Sequence, residues 1–143
     1  MASADELRQT ITENRAKLRE AIEGASGNWV LGDVEGDEAN WGSRKVAEHC
    51  IGSEAAFAGM VAGVMLSKAP EREELSLESS ADAVAALESA AASTDKVFRY
   101  VEDRDLAKTA PMPDGVPFSK DIEGVLTLAA YHLDDHAKQI ANS

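Results

Sequence analysis

Apolar residues recur at helical spacing in four separate stretches of the chain. The first stripe is Leu7, Ile11, Leu18, Ile22 and Ala25, one face of a helix at 3.6 residues per turn. Ser3 followed by Glu6 reads as a capping box, so the helix is predicted over Ser3–Gly24. The second stripe is Val46, His49, Ser53, Ala56, Phe57, Met60 and Val64. Trp41 stands before it as a hydrophobic staple, Gly42 or Ser43 supplies the N-cap, and the helix runs to about Leu66. The third, predicted over Ser80–Val101, carries Val84, Leu87, Ala91, Thr94, Phe98 and Val101. The fourth carries Val125, Ala129, His132, His136 and Ile140 within Gly124–Asn142, with Ser119 as cap and Asp121 and Glu123 in the favourable first turn.

Four amphipathic segments of about 20 residues predict an all-α four-helix bundle, read as one domain over residues 1–143. The connectors are long for a plain bundle: Asn28–Asn40, Ser67–Ser79 and Asp103–Phe118. That length predicts a mouth loop or an unusual connection.

Composition narrows the function. With 26 acidic against 14 basic residues and a net charge of −12, the chain lacks the basic face that a nucleic acid or an anionic membrane requires. Cys50 is the single cysteine, which excludes an intrachain disulfide and suits a reducing compartment. The first six residues lack the basic and apolar regions of a secretion signal, and the longest apolar run, Ala55–Leu66, is too short to span a bilayer. The expectation is a cytoplasmic, bacterial-type protein.

The candidate chemistry lies in the three histidines. His132 and His136, four residues apart, stack on one face of the last helix, a usual way to offer two ligands to one ion. His49 lies on the inward stripe of the second helix. Each alone could be an ordinary hydrogen-bonded core histidine. Together they impose a geometric condition. At ~1.5 Å per residue, His49 lies roughly 9 Å from the start of its helix, and His136 and His132 lie about 8 and 14 Å from the end of theirs. The three meet only if the second and fourth helices are antiparallel. One connection must then cross the length of the bundle, giving up-down-down-up order. The 13 residues of Ser67–Ser79 stretch to roughly 43 Å, enough to cross; the Asp103–Phe118 loop is the alternative.

Other metal sites are excluded. A di-iron bundle needs Glu three residues before each histidine, where this chain has Val46, Ala129 and Leu133. No Cys-x-x-Cys-His haem motif is present. Cys50 lies about 100° around the helix from His49 and reads as a small buried hydrophobe. Glu54, Asp135 and Glu48 are the acids nearest in sequence. Glu54 and Asp135 are the candidates to orient a ligand imidazole or to act as general base. Gln139 and Tyr131 read as packing or supporting residues. Met112 and Phe118 place the third connector as a candidate roof.

Trp41 eight residues before His49, Glu54 five after it, and His132-x3-His136-x2-Gln139-Ile140 together resemble the DinB-like (YfiT-type) family of metal-binding bundles. The resemblance covers the second and fourth helices and their order. It implies an up-down-down-up bundle holding one divalent ion, zinc or nickel, on His49, His132 and His136, often in a homodimer. It also implies a small-molecule substrate. The activity expected first is S-transfer from a low-molecular-weight thiol such as bacillithiol, mycothiol or glutathione. A hydrolase using water, or a non-catalytic metal-binding bundle, are the alternatives. One departure is Gly42, where family members commonly carry Ser; glycine still caps acceptably.

Overall fold

The computed structural model describes residues 2–143. It contains four long helices: α1, Ala4–Gly24; α2, Ser43–Met65; α3, Ser80–Phe98; and α4, Ile122–Ala141. The Ser3–Glu6 capping box forms as expected at the head of α1. Gly42 is the N-cap of α2, and a Cβ there would collide with the Val30 carbonyl. Its amide donates to Leu31 at 2.8 Å. Glycine thus stands at the position where the connector packs directly against the helix start.

Hydrogen bonds between helices fix their directions. Asn14 donates to the Ala130 carbonyl and Lys17 pairs with Asp134, so α1 and α4 run parallel. Arg19 pairs with Glu88, Arg15 with Asp95, and Arg8 reaches the Phe98 carbonyl, so α1 and α3 run antiparallel. Glu48 near the head of α2 meets Leu77 just before α3, while Glu54 and Asp95 further along share Arg15. Helices α2 and α3 are therefore parallel, and the order is up-down-down-up. Around the bundle α1 lies between α3 and α4, with α2 diagonally opposite.

The crossover is residues 66–79, between the end of α2 and the head of α3. It is tied at its far end. Trp29 Nε1 donates to the Leu77 carbonyl at 2.7 Å, Leu77 N donates to Glu48 at 2.7 Å, and Arg44 bonds both Glu48 and Ser76. Glu48 thus serves to hold the crossover on α2.

Leu7, Ile11, Leu18 and Ile22 of α1 meet Leu87 and Phe98 of α3 and Val125, Leu126, Ala129 and Ile140 of α4 in one core. Each of these side chains larger than alanine contributes about 1.5–3 kcal/mol on burial. Three details differ from the pattern. Along α2, Val46 and Ser53 are buried as expected, with Ala47, Cys50, Ile51, Glu54, Ala58, Val61 and Ala62, whereas Ala56, Phe57, Met60 and Val64 are only half-buried. The stripe is rotated because a charged residue, Glu54, lies at its centre. Helix α3 stops at Phe98, where Arg8 of α1 donates to the carbonyls of Phe98 and Val101 and satisfies the orphan acceptors of the helix end. Asp121, rather than Ser119, caps α4; its carboxylate accepts from Gly124 N, and the Ser119 hydroxyl donates to Asp121. No described helix is long and apolar enough to cross a membrane.

Candidate metal centre

The antiparallel pairing of α2 with α4 brings the three histidines together. His49 Nε2 and His136 Nε2 each lie 3.1 Å from His132 Nε2, and one donor atom from each ring fits within a 4.8 Å cluster. His136 is buried; His49 and His132 are half-buried. Nitrogens held about 2.0–2.1 Å from one tetrahedral ion stand roughly 3.3 Å apart. The observed spacing therefore fits a shared divalent ion.

Protonation also fits. Burial, with His136 and His49 beside it, pushes His132 down to about 3. Burial and then His136 lower His49. Both rings are thus neutral near pH 7, the form that donates to a metal. The His136 tautomer follows from its neighbour. Gln139 Nε2 donates to the Glu38 carbonyl at 2.8 Å, so its Oε1 is the atom facing His136 Nδ1 at 2.9 Å. Nδ1 carries a proton toward Gln139, which leaves Nε2 as the nitrogen that faces the cluster and that an ion would take. A partner on the outer nitrogen that fixes ring and tautomer is the usual support of a metal-binding histidine.

The match of the DinB superfamily family model spans residues 10–140 and takes in all three histidines, the whole of α2 and α3 and most of α1 and α4. The chain belongs to the DinB superfamily. No curated protein and no solved structure matches it significantly.

Elsewhere this DinB bundle departs from the sequence reading. Glu54 is buried, but both its oxygens are engaged by Arg15, Oε1 with Nε at 3.0 Å and Oε2 with Nη2 at 2.9 Å. Arg15 reaches it from the diagonal helix, and no hydrogen bond joins Glu54 to an imidazole. Asp135 is exposed and has no hydrogen bond or ion pair among the described residues. The acid that stands at the histidines is Glu38, whose Oε1 lies 3.2 Å from His136 Nε2. It sits on a short 3-10 turn, Glu38–Asn40, in the first connector. Nothing in its sequence neighbourhood marked it, because the contact spans 98 positions of the chain.

Aromatic rings enclose the cluster. Trp41 packs edge-on against His49 at 5.4 Å and Phe57 against His132 at 5.4 Å. Cys50 is buried with its sulfur 3.9 Å from His132 Nδ1, and burial pushes its thiol up, so it stays protonated. The third connector does not roof the site. It is fastened beneath the opposite end by Ile122 N to Lys108 and by Ala4 N to Asp103. Phe118 packs against Tyr131, with ring centroids 5.8 Å apart. The first connector instead brings Glu38 to the histidines. Beside His49 opens a cleft of about 580 Å³ lined by Lys45, Glu48 and Gly52 of α2 and by Arg72, Glu73 and Glu74 of the crossover.

Proposed function

We propose that this DinB protein binds one divalent ion, zinc or nickel, on His49, His132 and His136, and that the centre serves S-transfer from a low-molecular-weight thiol. The observation that carries the metal reading is the meeting of three imidazole nitrogens, with the His136 ring held by Gln139 so that Nε2 faces the cluster. Three ligands leave one position of a tetrahedral ion open. An ion bound there supplies Lewis acidity, which lowers the pKa of a thiol or water that enters the open position.

The chain's own residues supply the remainder. Gln139 holds the His136 ring, Trp41 and Phe57 keep bulk water from two sides, and the cleft beside His49 is of the size that takes a small organic molecule. Lys45 and Arg72 on its lining provide cations for an anionic group of a thiol or electrophile. Hydrolysis is the second reading, favoured by the half-exposed carboxylate of Glu38 next to the cluster.

Elemental analysis of protein purified without a histidine tag tests the centre. About one zinc or nickel per chain is expected, and His49→Ala should abolish it while the helical circular dichroism persists. No metal, even after zinc and nickel are offered, would remove both enzymatic readings. With metal bound, thiol-dependent consumption of monochlorobimane marks the transferase; ester or amide turnover without thiol marks the hydrolase. A metal-loaded protein with neither activity is a binding bundle.

A further inference from the structure

The carboxylate at the cluster has an unusual surrounding for an incidental surface acid. Glu38 Oε1 faces His136 Nε2 at 3.2 Å. That separation is close to the roughly 3.3 Å between two donors on one tetrahedral ion, so a cation beside them is within reach of both. The backbone under Glu38 is held as well. Its carbonyl accepts from Gln139, so one amide side chain fixes both the His136 ring and the base of the Glu38 side chain. The connector is further pinned by Asp33 N to Asn40 O at 3.2 Å and Arg44 N to Val30 O at 2.9 Å. The carboxylate itself is half exposed, so it can turn about its own side-chain bonds. It lies on the His136 side of the cluster and outside the mutual grouping of the three histidine nitrogens.

We propose that Glu38 is a displaceable fourth ligand of the metal centre. Its carboxylate closes the open position in the resting protein and gives way to an incoming thiol or other anionic ligand. This rests on the metal reading above and adds to it an anionic donor from outside the bundle. Oxygen of a carboxylate is an ordinary zinc ligand at about 2.0–2.2 Å. With three neutral imidazoles it leaves a net charge of +1 on a dication, which an entering thiolate can match by exchange, one anion for another. Glu38 is part of the first connector and its side chain is half exposed, so its departure opens the ion toward solvent and not toward the core.

The test uses the full chain loaded with cobalt(II), whose visible spectrum reports coordination, and compares it with Glu38→Gln and, as a neighbouring control, Asp37→Asn. Metal affinity is measured by competition with a chelator and ligand exchange by titration with azide. Glu38→Gln should weaken cobalt and zinc binding at least about tenfold, change the cobalt absorption bands, and bind azide more tightly than the parent; Asp37→Asn should do none of these. Superimposable spectra and affinities within twofold for Glu38→Gln would overturn the proposal while leaving the three-histidine centre standing. Failure of the parent protein to take up cobalt or zinc at all would overturn the centre and this arm with it.

Discussion

Glu54 separates what the fold needs from what the metal needs. Its side chain is 6% exposed and that of Arg15 is 9% exposed, and they are joined by two charge-assisted hydrogen bonds across the bundle. Removing one member of such a pair strands the other charge in the core, at a cost of about 3–5 kcal/mol. Arg15 keeps a second partner, Asp95 at 2.8 Å, but that carboxylate is 56% exposed and compensates weakly. The lower end, about 3 kcal/mol, is therefore expected for Glu54→Ala. For a chain of 143 residues the unfolding entropy is roughly 0.3 kcal/mol per degree, so Tm should fall by about 10 °C. Thermal melts followed by circular dichroism, with the metal removed from both proteins, measure this directly. Zinc affinity of the folded variant at low temperature should stay within a factor of about three. An apolar double replacement, Glu54→Leu with Arg15→Met, should recover most of the lost stability, since the pair replaced together leaves no stranded charge. A variant that melts within 2 °C of the parent yet loses its zinc would refute this reasoning and return Glu54 to the site.

Gln139→Ala removes the acceptor of His136 Nδ1 and the tether of Glu38 together; zinc affinity measured by calorimetry should drop about 10–100-fold with little change in Tm. Gly42→Ala puts a Cβ against the Val30 carbonyl and should lower stability by about 1–3 kcal/mol in urea titrations. It should also loosen the first connector, seen as faster amide exchange over residues 30–41. For the metal-free protein, His132 and His49 have folded pKa values below the unfolded 6.5, so the unfolded chain binds more protons on acidification. Their neutral, buried state is fully tolerated above about pH 6.5. Stability should decline as pH falls from there toward 3, and a zinc-loaded sample should release its ion over the upper part of the same window. Unchanged urea midpoints between pH 7 and 5 would contradict this.

The helices and their topology were legible because two independent signals agreed. Apolar spacing located α1, and α2 to α4 to within a few residues. The requirement that His49 meet His132 and His136 then selected the crossed connection, which the structure has. What stayed hidden was set by contacts between positions distant in sequence. Glu54 reads like any acid on a helix until Arg15 is seen opposite it. The end of α3 depends on an arginine 90 residues upstream. Glu38 sits in a polar, glycine-bearing connector, and only the folded path of that connector carries it to His136. Gln139 was noted within the histidine motif, but its second hydrogen bond, to the Glu38 carbonyl, was not readable from spacing.

The first and last helices lie side by side, with Asn14 bonded to Ala130. During synthesis, α1 leaves the ribosome long before its main neighbour exists. A chain halted after residue 121 has three helices and a core with one wall missing, so it stays open to proteases until α4 emerges. That helix also brings two of the three imidazoles, which makes closure of the bundle and assembly of the histidine cluster a single event.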